Sequence, residues 1–295
     1  MTNRDDRNMQ LEFEFCRTVV DRRLTEFFTE RENYYVLLES MRYSLLAGGK
    51  RVRAIICMKF CEASGGEMEK VLDAACAIEM LHTYSLIHDD LPCMDNDDMR
   101  RGKPSNHIKF GEFTATLAGD ALQAAAFETL LGSGMPASTV LEMGRVLAAA
   151  AGPHGICAGQ YLDMHEKPIG MSGLVEIHNH KTAALISAAA KIGVLAAKGT
   201  EEQIIAADRY AKDLGLAFQI RDDVLDATAT ADELGKPIGS DRENDKTTFA
   251  TLMGLSECNE LIRVNTQNAV AALGGKFDNA EFLIWLAWML AERKY

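Results

Sequence analysis

Two clusters of aspartates dominate the chemistry that this sequence could perform. They are DDLPCMD at Asp89–Asp95 and DDVLD at Asp222–Asp226, and each follows an apolar segment that ends in isoleucine and a basic residue. Carboxylates this close together repel one another unless cations lie between them. Mg²⁺ takes oxygen ligands and is usually held by one or two carboxylates together with substrate phosphates. The clusters therefore predict a metal site shared by the protein and a phosphorylated ligand.

The spacing within each cluster indicates how the carboxylates are arranged. Asp222 and Asp226 are four residues apart, so a helix would project both from one face. Asp89 and Asp95 are six apart, which a regular helix would place on different faces. We expect Pro92 to end the helix so that Asp95 can turn back toward Asp89. A single acidic run is usually a solvated helix end, but two such runs after apolar helices favour a site.

Basic residues are concentrated at two places in a chain that is acidic overall. The protein has 31 Lys and Arg against 43 Asp and Glu, a net charge of −12. One group follows the pair Gly48-Gly49 and the other follows the first acidic cluster: Lys50, Arg51 and Arg53, and Arg100, Arg101 and Lys103. Arg offers paired donors to phosphate oxygens and Lys a point charge, so both groups could bind diphosphate; the alternative is a solubilising rim. GGKR is not a Walker A loop, because the upstream glycine and the following Ser or Thr are missing.

The elements that must position these residues are predicted to be helices. Apolar residues recur at three-and-four spacing in LEFEFCRTVVDRRLTEFF and VLDAACAIEMLHTYSLIH, alanine-rich runs favour helix, and no segment alternates like a half-buried strand for long. Glycine and proline breaks are expected at 47–49, 64–66, 101–104, 132–136, 167–170, 198–200 and 274–275, which leaves about ten to twelve helices. None of these breaks is a long polar linker, so we expect a single domain over residues 1–295. The C-terminal EFLIWLAWMLAERKY is expected in the core rather than at an interface.

Composition limits the class of protein. A net charge of −12 argues against a nucleic-acid partner, and 47% hydrophobic with 25% charged residues is typical of a folded globular protein. MTNRDDRNMQLEFEF lacks the apolar core of a secretion signal, and the longest uncharged stretch, 146–162, contains glycines and a proline. We therefore expect a cytoplasmic protein without a membrane span. The cysteines at 16, 57, 61, 76, 93, 157 and 258 form no CxxC pair and are expected to be core residues rather than disulfides or metal ligands.

A series of motifs resembles one known family. GGKRVR, HTYSLIHDDLPCMDNDDMRRGKPSNH, GQYLDM, KTAALISAA, FQIRDDVLD, GKPIGSD and DKTTF occur in the order found in trans-prenyl diphosphate synthases, over about residues 40–255. Within that family the chain is most similar to bacterial short-chain farnesyl diphosphate synthases, including the four-residue spacer in DDLPCMD. The resemblance implies an all-α, isoprenoid-synthase-type helical bundle around a central cavity, with both acidic clusters at its mouth, and a homodimer.

The resemblance also implies roles for individual residues. The ligands of three Mg²⁺ ions would be Asp89, Asp95 and Asp222, supported by Asp90, Asp223 and Asp226. Isopentenyl diphosphate would be held by Lys50, Arg53, His82 and Arg101. The allylic diphosphate would be held by Arg100, Lys181, Lys236 and Lys246, with the polar segment 229–245 ordering over it. The allylic cation would be stabilised by Lys181, Thr182 and Gln219.

Histidine spacing separates one candidate from the others. His82 lies seven residues before Asp89, on nearly the same helix face and roughly 10 Å away, so it would face the same cavity. The other histidines, including His178 and His180, have no metal-binding spacing and are expected to be structural or exposed.

The reaction that the resemblance implies is condensation of isopentenyl diphosphate with dimethylallyl or geranyl diphosphate, giving (2E,6E)-farnesyl diphosphate by ionisation, condensation and elimination. Tyr84, with Ser85 beside it, would form the floor that limits the product to fifteen carbons, although the helical wheel places Ser85 closer to the Asp89 face. The alternatives are a geranylgeranyl diphosphate synthase, a terpene cyclase and a non-catalytic partner subunit. DDVLD, GGKR and HTYS argue against a cyclase, and two complete acidic clusters argue against a non-catalytic subunit.

Overall fold

The structure is a computed structural model that describes residues 3–165, 170–228 and 247–293. Its helices are α1 (Asn3–Leu24), α2 (Tyr35–Leu45), α3 (Val52–Ala63), α4 (Met68–Asp89), α5 (Asn106–Phe110), α6 (Glu112–Leu131), α7 (Ala137–Ala151), α8 (Ile156–His165), α9 (Gly170–His178), α10 (Ala184–Ala196), α11 (Glu201–Thr228), α12 (Phe249–Met253), α13 (Leu255–Leu273) and α14 (Glu281–Glu292). A π-helical turn, Asn179–Ala183, joins α9 to α10. A two-stranded hairpin, β1 (Met99–Arg100) and β2 (Lys103–Pro104), follows α4.

The all-α prediction is confirmed, while the number of helices was underestimated. The described residues contain fourteen α-helices. The short helices α5 and α12, five residues each, were not expected. Each of them ends at a glycine with positive φ, Gly111 at 84° and Gly254 at 82°, and a new helix begins directly afterwards. Single glycines inside apolar stretches were sufficient to reorient the chain, because glycine adopts positive φ without steric cost.

One hydrophobic cluster runs through most of the molecule, from Phe13 in α1 to Leu290 in α14. Its centre is α10, whose nine buried residues face neighbours on several sides. Alanine and glycine let backbones approach closely there: a Cβ added at Gly193 would lie 2.2 Å from the Cys57 carbonyl oxygen in α3. The small side chains of α10 are therefore a packing requirement as well as a source of helix propensity.

The C-terminal apolar helix lies in the core, as predicted. In α14 the buried residues include Phe282, Leu283 and Leu286, and Trp285 donates a hydrogen bond to Asp6 in α1 at 2.7 Å. Among the described residues, none of the helices combines the length and the apolar composition needed to cross a bilayer.

The cysteine prediction is confirmed for five positions and wrong for two. Five cysteines are buried and unpaired: Cys16, Cys57, Cys61, Cys76 and Cys258. Cys93 and Cys157 are exposed, because one lies in the turn after α4 and the other in the first turn of α8. Hydrophobic context along the chain did not reveal these helix ends.

The contact between α3 and α10 generates a stability prediction. Gly193→Ala should destabilise the fold by about 1–3 kcal/mol, because the added methyl meets a backbone carbonyl that cannot move independently of α3. Gly144→Ala in α7 is the matched control, since nothing lies within 4 Å of its added Cβ, and it should be neutral or stabilising by up to about 1 kcal/mol. Urea unfolding of both variants measures the difference, and equal midpoints would contradict the packing account.

Candidate active site

The first acidic cluster lies where α4 ends. The helix stops at Asp89, and the chain turns through Pro92 so that the Asp95 backbone amide donates to the Asp89 carbonyl at 2.8 Å. The turn therefore returns Asp95 to the end of the helix, as the proline suggested.

The two neighbouring aspartates of this cluster have different surroundings. Asp90 is buried and accepts a hydrogen bond from Arg100 Nε at 2.9 Å. Asp89 is half-buried, and burial raises its pKa to about 6, with Lys181 opposing the shift and Asp95 adding to it. Asp89 is thus a carboxylate that a cation would stabilise, whereas Asp90 is held by a protein guanidinium.

In the second cluster, on α11, the second aspartate is again the buried one, but here the guanidinium pairs with the first. Asp222 is half-buried and forms an ion pair with Arg293 at 2.6 Å. Asp223 is buried; its Oδ2 accepts from the Phe249 amide at 2.8 Å, and its Oδ1 lies 3.4 Å from Gln219 Nε2. Asp223 therefore fixes the start of α12, while Asp226 is exposed one turn beyond Asp222.

The π-helical turn places a lysine beside the first cluster. Lys181 Nζ lies 2.6 Å from Asp163 Oδ2 in α8. Burial alone would lower the pKa of Lys181, but the charges of Asp163, Asp89 and Asp95 raise it. The backbone of α8 can approach because residue 159 is glycine, whose added Cβ would lie 2.2 Å from the Lys181 amide nitrogen. Lys181 therefore stays protonated between several carboxylates.

The same turn connects to the second cluster through its next residue. Thr182 Oγ1 lies 3.2 Å from Gln219 Oε1 on α11, and Gln219 in turn lies beside Asp223. The five-residue turn thus contacts α8 through Lys181 and α11 through Thr182, which brings the residues expected to stabilise a cation between the two acidic clusters.

A pocket of about 270 Å³ opens beside α3, α4 and α11. Its polar lining includes Gly49, Lys50, Arg51, Arg53, Glu79, His82 and Arg101, and its apolar lining is Val52, Ile186, Leu214, Phe218 and Leu290. All four residues expected to hold isopentenyl diphosphate therefore share one cavity. The basic groups around Lys50 and around Arg101, about fifty residues apart in the sequence, meet there.

Electrostatics within the pocket favour an anionic ligand. His82 Nε2 lies 3.3 Å from Arg53 Nη1, and burial together with the positive charges of Arg53 and Arg101 lowers the pKa of His82 well below 6.5. Arg53 Nε is buried without a hydrogen-bond partner among the described residues. A buried donor without a partner is costly, so a phosphate oxygen at this position would offset that cost.

Arg51 differs from its basic neighbours. Its guanidinium is buried and contacts Asp21 at 2.8 Å, Glu79 at 3.4 Å and the Leu45 carbonyl at 2.8 Å. It joins α1, α2 and α4 and is committed to the protein interior. The sequence group that could bind diphosphate is therefore reduced to Lys50 and Arg53.

Tyr84 and Ser85 lie about one turn before Asp89. Tyr84 is 6% exposed, with its hydroxyl 3.4 Å from the Ala151 carbonyl and its ring edge-on to His88. Ser85 donates to the His82 carbonyl at 2.9 Å within α4. Tyr84 thus reaches across from α4 to the end of α7, and its role as a floor stays a prediction.

Two charged residues of the site were missed by the sequence analysis. Asp163 lies in GQYLDM, and a lone carboxylate in a half-apolar helix was its only local signal. Arg293 follows the apolar α14, donates to the Phe218 carbonyl at 3.0 Å and stacks over the Phe218 ring at 3.7 Å. Neither contact is local in sequence.

Lys236, Lys246 and the segment 229–245 lie outside the described residues.

The carboxylates fit Mg²⁺ only as part of a site that substrate phosphates complete. In the described part of the chain no three His, Cys, Asp or Glu side chains come close enough to hold a metal ion by themselves. Mg²⁺ retains waters and takes few protein ligands when substrate phosphates supply the others. Burial raises the pKa of Asp89, with Asp95 adding to the shift, so a cation beside Asp89 and Asp95 would stabilise the ionised form. Asp222, paired with Arg293, could supply a further oxygen ligand to such a shared site.

Comparison with known proteins identifies one family. The polyprenyl synthetase family model matches residues 35–278. Putative geranylgeranyl pyrophosphate synthase 8 of Arabidopsis thaliana is 48% identical over 258 residues, covering 84% of this chain and 72% of the relative. Geranylgeranyl pyrophosphate synthase of Capsicum annuum is 45% identical over 281 residues, covering 93% and 76%.

Solved structures give the same result. An FPP/GFPP synthase from Zymomonas mobilis matches with a TM-score of 0.87 and 33% identity, covering 97% of this chain and 100% of that one. A geranylgeranyl pyrophosphate synthetase from Pyrococcus horikoshii matches with a TM-score of 0.89 and 30% identity, covering 97% and 99%. The names of these relatives span products of different length, so they support prenyl diphosphate synthesis without confirming a farnesyl product. With most of its length matched, the chain belongs to the polyprenyl synthetase family, the trans-prenyl diphosphate synthases.

Proposed function

We propose that this prenyl diphosphate synthase condenses isopentenyl diphosphate with dimethylallyl or geranyl diphosphate in a Mg²⁺-dependent, head-to-tail reaction. The observation that carries the proposal is the π-helical turn. Its Lys181 interacts electrostatically with Asp89 and Asp95, and its Thr182 contacts Gln219 of α11, the helix whose Leu214 and Phe218 line the basic pocket. Two anionic ligands, one at the carboxylates and one in the pocket, would then lie side by side.

The allylic diphosphate would bind between the acidic clusters. Bound Mg²⁺ supplies charge neutralisation of the leaving diphosphate. Lys181 and Arg100 donate to its oxygens and orient it. Thr182 Oγ1 and Gln219 Oε1 place partial negative charge where the allylic carbon becomes cationic, and their mutual contact at 3.2 Å holds them ready for this role.

Isopentenyl diphosphate would occupy the basic pocket. Lys50, Arg53 and Arg101 bind its diphosphate, and His82, kept neutral by its surroundings, donates or accepts a hydrogen bond without adding charge. The apolar walls exclude water from the reacting carbons, which prevents hydrolysis of the cation. The proton lost in forming the new double bond would pass to the departing diphosphate.

Two product lengths, C15 and C20, are supported by different observations. Tyr84 beneath the first cluster favours a C15 product, farnesyl diphosphate. Several of the relatives are named geranylgeranyl pyrophosphate synthases, which favours C20 at least as well. Both acidic clusters are complete, so we propose an active enzyme rather than a non-catalytic subunit.

The assembly and location are proposals as well. Phe113, Leu117 and Leu131 on α6 are 78%, 40% and 64% exposed, and exposed apolar patches often mark subunit contacts. This face supports a homodimer. Cytoplasmic residence stays a prediction from the sequence, and named relatives are chloroplastic.

The metal role predicts a selective loss of activity. Asp89→Asn and Asp222→Asn should each lower kcat by roughly a hundredfold or more without lowering Tm, because each removes charge from the metal site but keeps side-chain volume. Asp278→Asn, exposed and remote in sequence from either cluster, is the control. Product formation from isopentenyl and geranyl diphosphates is the assay. Retained activity in both variants would reject the shared metal site.

The raised pKa of Asp89 predicts how pH affects the metal-free protein. The pKa of Asp89 is about 6 in the folded protein, above the usual 3.8. The contribution of Asp89 to the free energy of unfolding is therefore fully present below pH 3.8 and is lost as pH rises through 6. In buffer with a chelator, Asp89→Asn should therefore gain stability relative to the parent between pH 4 and pH 7. Thermal unfolding across that range measures the gain, and parallel curves would show that Asp89 is not destabilised.

The floor predicts control of chain length. Tyr84→Ala should shift products beyond C15, or beyond the parent's length, because it opens space below the first acidic cluster. Tyr84→Phe keeps the ring and should keep the parent distribution, and Tyr34→Ala, at an exposed position, should do the same. Chromatography of dephosphorylated products gives the answer. An unchanged distribution in Tyr84→Ala would refute the floor.

A further inference from the structure

A buried polar network joins α2 to the start of α5. Ser40 Oγ donates to Asn106 Oδ1 at 2.7 Å, while Asn106 Nδ2 donates to the Ser40 carbonyl at 2.9 Å and to Ser44 Oγ at 2.8 Å. Ser40 is fully buried and Asn106 is 2% exposed. Both ends of the amide are therefore satisfied, and buried networks of this kind hold one geometry because a lost bond leaves a buried polar group without a partner.

Asn106 lies two residues after the β1–β2 hairpin, whose tip is strained. Met99 pairs with Pro104 and Arg100 with Lys103, which leaves Arg101 and Gly102 as the two central turn residues. Both have positive φ, 53° and 72°, as a type I′ turn requires. Left-handed backbone is sterically unfavourable for a residue other than glycine. Such a backbone conformation persists where surrounding contacts determine it, so the contacts at the base of the hairpin bear directly on Arg101.

The base of the hairpin is held against α2. Tyr43 donates from its hydroxyl to the Pro104 carbonyl at 2.8 Å, and the Ser105 amide donates to the Asp98 carbonyl at 2.8 Å. Together with Asn106, these bonds fix both strands relative to α2. The helix α2 leads directly into the Gly48-Gly49 loop, so the hairpin and the loop share one support.

The two arginines of the hairpin depend on this support to different degrees. Arg100 has its own anchors, since it pairs with Asp90 and with Asp97 at 3.1 Å. Arg101 donates to the Gly48 carbonyl and forms no ion pair with a carboxylate of the described residues. A Cβ added at Gly49 would lie 3.0 Å from the Arg101 guanidinium, so a larger residue at position 49 would displace that guanidinium. The direction of Arg101 is therefore set mainly by the backbone that carries it.

We propose that Asn106 is a positioning residue that aims Arg101 into the basic pocket through the Ser40–Asn106–Ser44 network. The proposal rests on the proposed function, in which Arg101 binds isopentenyl diphosphate. Asn106 itself does not line that pocket. Loosening the network should disturb Arg101 and leave Arg100 held by its carboxylates, so the two substrates should respond unequally.

Steady-state kinetics of Asn106→Ala test this inequality. KM for isopentenyl diphosphate should rise about fivefold to tenfold, since a misdirected guanidinium loses its contact with the diphosphate. KM for the allylic diphosphate should change by less than about twofold, and kcat should stay within about twofold. Equal increases in both KM values, or no increase in either, would overturn the proposal.

A matched control separates this effect from general destabilisation. Asn265 is also buried, at 9% exposure, and donates from Nδ2 to the Leu261 carbonyl at 2.8 Å within α13. Asn265→Ala should lower Tm without changing either KM. If Asn106→Ala does not fold, Ser44→Ala is the substitute variant, because it removes only the hydrogen bond between Asn106 Nδ2 and Ser44 Oγ. A rise of about twofold in KM for isopentenyl diphosphate would then support the proposal, and an unchanged KM would reject it.

A double-mutant cycle distinguishes this inference from the proposed function itself. If Asn106 acts through Arg101, Asn106→Ala should add nothing to KM for isopentenyl diphosphate in an Arg101→Ala background. If Arg101→Ala alone leaves KM unchanged, the assignment of Arg101 to that substrate is wrong. If Arg101→Ala raises KM and Asn106→Ala does not, only the positioning role fails.

Discussion

The structure depends on holding several carboxylates near one another while keeping enough positive charge beside them. Asp89, Asp95 and Asp163 surround Lys181, whose ammonium remains charged although burial opposes it. Burial nevertheless raises the pKa of Asp89 to about 6, so the charge balance within the protein is incomplete. Divalent cations bound there, as proposed, would complete the charge balance.

In each pair of adjacent aspartates, the two side chains have different environments. The second member turns inward and fixes a neighbouring element: Asp90 holds Arg100 of the hairpin, and Asp223 holds the first amide of α12. The first member, Asp89 or Asp222, stays half-buried at the site. The second member of each pair thus anchors a neighbouring element, while Asp222 is itself paired with Arg293. The similarity between the two clusters in sequence corresponds to this shared arrangement.

Neighbouring basic residues also differ in their contacts. Of the group after Gly48-Gly49, Arg51 is committed to Asp21 and Glu79, whereas Lys50 and Arg53 line the pocket. Of the hairpin arginines, Arg100 is anchored by carboxylates and Arg101 by a carbonyl and by backbone conformation. Motif spacing cannot separate these roles, because neighbouring arginines have the same chemistry until tertiary contacts assign their partners.

Local pattern was sufficient for the helical class, for a helix end before Pro92 and for the buried α14. Periodicity, proline geometry and continuous hydrophobicity all act within a few residues. The short helices α5 and α12 were missed because one glycine at positive φ changes direction without altering the hydrophobic pattern. The candidate diphosphate residues of the pocket were identified from motifs and a resemblance. That they share a cavity with one another is a property of the packed helices.

The amino-acid sequence by itself determined which chemistry was available: carboxylates in two close clusters, cations in two groups, and helices able to carry them. Only the tertiary structure decided which carboxylate of each pair is buried, that Arg293, just after α14, reaches Asp222, and that Asp163 pairs with Lys181. The physical reason is that electrostatic and hydrogen-bonding partners are chosen by distance in space. Residues 71 positions apart, such as Asp222 and Arg293, become partners only when the core brings α11 and α14 together.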